Sequence, residues 1–205
     1  MARNIVQAMT GTAAAAQTDG SEQILDAARA AVLDFGVRRT TVSEVARRAG
    51  LSRMTVYRRY PDGAALMRAL MTREFGAVLT RARDGAAEAG SGRERLVATC
   101  ITTIELLMTH PLMLRLLELD PEMLLPYLTE RTGRFQQLAR EATAEAIAAG
   151  QADDSIRPGD PRTLAATCEL ATRGVVISAR SLSARQRSRE LGELALMLDG
   201  YLRPR

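Results

Sequence analysis

Residues 40–60 read T-T-V-S-E-V-A-R-R-A-G-L-S-R-M-T-V-Y-R-R-Y, and local chemistry builds this stretch as two short helices around a tight turn. Thr41 is a good N-cap, and Glu44 three residues on completes the spacing of a capping box, so a helix is expected from Val42. Val42, Val45, Ala46 and Ala49 fall on one face at helical spacing. Gly50 follows them and can take the left-handed conformation that ends a helix. Ser52 then caps a second helix, expected from about Arg53 to Arg59, with Val56 turned toward the first. In a helix-turn-helix, the first residues of the second helix reach base edges while the first helix crosses the DNA backbone. Arg53, Met54 and Thr55 hold those positions. Arg53 can bond a guanine edge, Met54 and the Thr55 methyl can touch a thymine methyl, and Tyr57 and Arg58 can reach phosphate.

Charge supports this reading more firmly than spacing does. From Arg38 to Tyr60 there are seven arginines (38, 39, 47, 48, 53, 58, 59) against one acid, Glu44, a local balance of +6 in a chain whose total is +4. A local excess is the electrostatic footprint of a nucleic-acid surface rather than of a generally basic protein. All 28 basic residues are arginine, and because high Arg with high Ala follows genome base composition, only their clustering is informative.

The stretch from Ile24 to Leu70 resembles the TetR family of bacterial transcription regulators. The resemblance rests on Phe35-Gly36 at the end of the first helix, T-T-V at 40–42, A-R-R-A-G at 46–50 and V-Y-R-R-Y at 56–60. It implies that Thr41 contacts backbone phosphate, that Arg53 and Thr55 read bases, and that Tyr57 and Arg58 anchor phosphates. The chain departs from the pattern at Gly63, where many members carry lysine at the start of the fourth helix. That side-chain contact is lost, while the helix N-terminus capped by Asp62 still offers backbone N–H groups to a phosphate.

Outside this unit the chain reads as all-α, with about nine helices and no strand pattern. Residues 1–20 show no apolar periodicity and are read as a flexible arm, 21–75 as the DNA-binding domain and 76–205 as a helical ligand-binding and dimerisation domain. Asp62 opens a long helix to about Ala89. Ser91 and Glu94 form a capping box for a helix to about Thr109, and Pro111 starts the next, to about Leu119. Asp120-Pro121 opens a short turn of helix at 121–125, set off by Pro126 from a long helix to Ala149 that Gly150 closes. The last two helices are expected over about 161–180 and 184–202.

Residues 76–205 hold seventeen arginines and seventeen acids, so this part is not a second DNA surface. Leu164, Cys168, Ala171 and Val175, with Leu191, Leu194 and Leu198, form apolar stripes on the last two helices, and Gly174 with Ala171 permits close approach. By resemblance this helix pair meets its twin in a homodimer, and the stripes also serve the chain's own core. A dimer suits double-stranded DNA, because two recognition helices about 34–36 Å apart read a palindromic operator. The resemblance also implies a ligand pocket, with candidates Leu96, Cys100, Thr103, Ile104, Leu107, Met108, Met113, Leu117, Met123, Tyr127, Leu128, Phe135 and Thr172. Such a wall favours an apolar small-molecule effector.

Enzyme activity finds no support. His110 is the one histidine, placed before Pro111 where a capping or surface role is the default, and there is no nucleophile–base set, phosphate-binding loop or metal cluster. No catalytic residue, metal or cofactor is expected. Cys100 and Cys168 read as buried small hydrophobes rather than a disulfide. No apolar run approaches a membrane span and no signal peptide is apparent, which predicts a cytoplasmic protein without a membrane partner. The function expected is that of a sequence-specific, ligand-responsive repressor; an activator of the same fold and a nonspecific DNA-packaging protein are the alternatives.

Overall fold

A computed structural model describes residues 20–124, 133–178 and 182–204. Among these the chain is all-helical: α1 (20–35), α2 (Val42–Arg48), α3 (Arg53–Arg59), α4 (Gly63–Gly85), α5 (Gly92–Thr109), α6 (Pro111–Leu119), a 3₁₀ turn (Pro121–Leu124), α7 (Arg134–Ala152), α8 (Pro161–Ser178) and α9 (Ala184–Leu202). They fall into two compact units. The first runs to Met71 and takes in Arg115–Met123; the second comprises Thr72–Leu114 and the chain from Leu124 onward. The sequence reading drew one boundary at 75/76 and placed 115–123 in the later domain. It had no view of the hydrogen bonds that seat these residues on the first unit, described below.

In the first unit, α1 buries Ile24, Ala28, Ala31 and Val32, spaced for one helical face, in a core shared with Val45, Ala46, Val56, Leu66 and Leu70. The Gln23 side chain donates to Ala49 O at 2.8 Å and so holds the end of α2. The second unit has its own core, with Leu96 and Ile104 of α5, Ile147 of α7, Ile156, Leu164 and Cys168 of α8, and Leu191, Leu194, Leu198 and Leu202 of α9. Both cysteines are free thiols, and burial pushes Cys100 up to about 12 and Cys168 to about 11, which leaves little thiolate to react.

Several helix ends differ from expectation for visible reasons. α4 stops at Gly85 rather than near Ala89, and Arg95 donates to the carbonyls of Ala89 and Gly90 in the turn that follows. α7 runs past Gly150 to Ala152, and Asp154, with φ of 57°, takes the left-handed conformation beyond its end. Gly150 serves close packing instead: a Cβ there would lie 2.4 Å from Ile156 Cδ1. His110 takes the capping place expected of it, as the C-cap of α5, and its side chain is 15% exposed. Its Nε2 lies 3.7 Å from Glu74 Oε2 and its ring is edge-on to Phe75. Residues 1–19 of the proposed arm, Tyr127 and Leu128 lie outside the described residues, Gly20 begins α1, and of Met123 only the backbone in the 3₁₀ turn is described.

Candidate nucleic-acid interface

The α2–turn–α3 segment is fixed by its own backbone chemistry. Thr41 Oγ1 accepts from Glu44 N at 3.2 Å and caps α2. At the other end Gly50, with φ of 62°, donates to Arg47 O while Leu51 N donates to Ala46 O at 2.9 Å, the paired closure that a left-handed residue allows. Ser52 Oγ accepts from Thr55 N at 3.1 Å and shares a second hydrogen bond with the Thr55 hydroxyl. Val56, fully buried, turns α3 against α2.

This arrangement leaves the first turn of α3 outward. Arg53 and Arg58 are exposed, Tyr57 is 45% exposed, and Met54 is 75% exposed, an unusual site for a large apolar side chain in water. Arg53 and Arg58 have no ion pair or hydrogen-bond partner among the described residues. Thr55 is half-buried with its hydroxyl committed to Ser52, and Thr41 is exposed with its oxygen committed to the cap. Gly63 opens α4 behind Asp62, whose carboxylate accepts from Ala65 N at 2.6 Å.

The other arginines are largely occupied. Glu44 does not close a capping box. Its carboxylate instead takes two hydrogen bonds from Arg47, at 2.9 and 2.7 Å, and one from Arg48 at 2.7 Å. Charge-assisted bonds to guanidinium outweigh one more backbone N–H. They pull the Glu44 carboxyl down to about 2, through the hydrogen bonds from Arg47 first and Arg48 second. Arg48 also donates to Asp34 at 2.7 Å and stands 5.0 Å over the Phe35 ring. Arg38 pairs with Glu122 at 2.8 Å, and Arg59 donates to the Ser21 hydroxyl. Arg39, Arg53 and Arg58 remain open to an outside anion, a distinction that counting charges along the chain could not make.

Residues 115–122 also reach this unit, which sequence reasoning missed. Asp120 is 3% exposed, the one buried polar or charged side chain among the described residues, and its Oδ2 accepts from Val37 N at 2.7 Å. Gly36, with φ of 81°, leaves room for that carboxylate, since a Cβ there would lie 2.7 Å from Oδ2. Arg115 adds a hydrogen bond to Asp34 O at 3.1 Å.

Of the candidate ligand wall, Leu96, Ile104, Leu107 and Met113 are buried, and Cys100, Thr103, Met108, Phe135 and Thr172 are half-buried, all in the second unit. Leu117 falls in the first unit. The Thr103 hydroxyl donates to Thr99 O and that of Thr172 to Cys168 O, so these threonines offer methyl rather than hydroxyl. Of the residues named for self-association, Leu164, Cys168, Leu191, Leu194 and Leu198 are buried in their own chain's core, Ala171 and Val175 are half-buried, and Gly174 is exposed. The apolar residues that face outward are others: Leu170 (56%) and Ile177 beside Gly174 on α8, and Leu196 (68%) and Met197 between Gly192 and Gly200 on α9. The heptad-like stripe in the sequence marked the core face, and the flanking leucines carried the weaker signal.

The sequence model of the family described as bacterial regulatory proteins, tetR family, matches residues 24–70, which hold this interface. An uncharacterized HTH-type transcriptional regulator of Mycobacterium bovis is 36% identical over 187 residues, covering 91% of this chain and 96% of its own. Among solved structures, a TetR-family transcriptional regulator from Pectobacterium atrosepticum superposes with a TM-score of 0.72 at 18% identity, over 93% of this chain and 98% of that one. The transcriptional repressor QsdR of R. erythropolis gives 0.64 at 20% identity, over 90% and 96%. With a capped, outward-facing reading helix at its N-terminal end and near full-length similarity to such a regulator, the chain belongs to the tetR family of bacterial regulatory proteins, DNA-binding regulators of transcription rather than enzymes.

Proposed function

We propose that the protein is a cytoplasmic repressor that binds a palindromic operator as a homodimer and releases it when an apolar small molecule occupies its second unit. The observation that carries this reading is the first turn of α3, where Arg53 and Met54 face outward with no protein partner for the guanidinium. Arg53 would bond a guanine edge, Met54 and the Thr55 methyl would pack on thymine methyls, and Tyr57, Arg58 and the Gly63 end of α4 would anchor phosphates. Two such heads are needed, because one recognition helix covers too few base pairs. The exposed stripes Leu170–Gly174–Ile177 and Gly192–Leu196–Gly200 supply a surface for the twin, with glycines that admit close helix approach. The release step would be a shift of α6 against α4, which carries the reading head, so that the two heads leave register.

A nonspecific packaging protein would share the basic helices but would have no use for a second unit with exposed apolar stripes. Selection of bound fragments from random and bacterial genomic DNA at physiological salt tests the reading. An inverted repeat is the expected product; recovery of unselected DNA at every stage would favour the packaging alternative. An activator of the same fold would recover the same repeat and differ in the direction of a reporter gene placed behind it.

A further inference from the structure

Asp120 stands eighty-three residues from Val37 in sequence, yet its carboxylate closes the N–H left open where α1 ends. Three hydrogen bonds among the described residues join residues 115–122 to the α1–α2 junction, and they are unequal. Arg38 and Glu122 are both well exposed, and such a pair is worth little in water. Arg115 to Asp34 O is likewise exposed. Asp120 and Val37 are both buried, so breaking their bond strands an N–H and a carboxyl away from solvent. The approach requires Gly36, whose missing Cβ would otherwise occupy the space of Oδ2.

We infer that Asp120 is a positioning residue for DNA reading: it touches no DNA, but by holding Val37 N–H it fixes how α1 hands over to α2 and hence the angle at which α3 is presented. The inference rests on the reading of α3 as the sequence-reading helix. It also names a point of regulation. α6 has its first residues in the second unit and its last in the first, so any rearrangement that draws the end of α6 away acts on the reading head through this bond.

The test compares wild type with Asp120→Asn and Asp120→Ala. Both variants remove the same negative charge, so an effect of charge alone moves them together. Asparagine keeps a side-chain oxygen that can accept from Val37 N; alanine does not. Affinity is measured for a duplex carrying the selected repeat and for a shuffled duplex of equal length. Asp120→Ala is expected to lose about tenfold in the ratio of the two affinities, the size of a typical coupling between sites, with binding to the shuffled duplex kept, and Asp120→Asn to retain most of it. Amide hydrogen exchange on the free proteins should show Val37 deprotected in Asp120→Ala while Val45 and Val56 stay protected. Equal ratios in all three proteins overturn the inference, as does an equal loss in both variants. Loss of protection at Val45 and Val56 in Asp120→Ala also overturns it, since Asp120 would then hold the whole head together. A wild-type protein that does not distinguish the duplexes overturns the proposed function and this inference with it.

Discussion

Arg53 and Arg58 are five residues apart on α3, so their side chains leave the helix roughly 140° apart and cannot do the same work. Arg53→Ala is expected to cost about 1–3 kcal/mol at particular base pairs and relax preference there, whereas Arg58→Ala should weaken all sequences alike. Binding to a panel of single-base operator variants checks both, and an Arg53→Ala protein with unaltered preference would remove Arg53 from the reading set. Glu44 makes a prediction about pH. Its carboxyl lies at about 2 in the folded protein against an ordinary 4.5, so the stabilisation from Arg47 and Arg48 is full above about 4.5 and is lost as pH falls toward 2. In thermal melts across pH, Glu44→Gln should lie below wild type at neutral pH and converge with it near pH 2. The two left-handed glycines of the reading head are expected to differ. At Gly50 a methyl meets nothing within 4 Å, so Gly50→Ala should cost only the backbone strain, about 1–2 kcal/mol; Gly36→Ala adds a collision with Asp120 and should cost more. Chemical denaturation of the two variants orders them.

At the level of elements, the features that could be read along the chain are those made by neighbours within a few residues. The Thr41 and Ser52 caps, the Gly50 turn and the Ser91 capping box all form from partners three to five positions apart, and each stands where the sequence placed it. Glu44 shows how local reading fails: the spacing to Thr41 suited a box, but Arg47 and Arg48 at i+3 and i+4 offered it stronger partners. Gly150 is a second case, where a residue that usually ends a helix is kept inside one by the need to let Ile156 in. Asp120 was beyond reach altogether, because nothing near it in sequence announces Val37. Close packing between elements gives its own prediction. A Cβ at Gly92, at the start of α5, would lie 2.8 Å from the Gly150 Cα of α7, backbone that cannot swing aside. Gly92→Ala should therefore destabilise the second unit by about 1–3 kcal/mol, the usual range for overpacking, which a denaturant titration reads.

For the whole molecule, the division between core and outer leucines on α9 separates folding from assembly. Leu198 is buried, and Leu198→Ala should cost about 2–5 kcal/mol of stability. Leu196→Glu should leave the fold intact and yield a monomer in sedimentation, with operator binding weakened accordingly; a Leu196→Glu protein that stays dimeric would move the interface elsewhere. The last consequence comes from the clamps on Arg38, Arg47 and Arg48. DNA sheds condensed cations only for phosphates that a free protein charge replaces, and arginines already held by Glu122, Glu44 and Asp34 exchange one acid for another. With Arg39, Arg53, Arg58 and Arg59 paired with no acid among the described residues of each head, the logarithm of affinity for a dimer should fall against the logarithm of salt with a slope no steeper than about −7, where seven open arginines per head would give about −13. The protein is thus built to depend less on ionic strength, and more on what its α3 side chains recognise, than its arginine-rich sequence suggests.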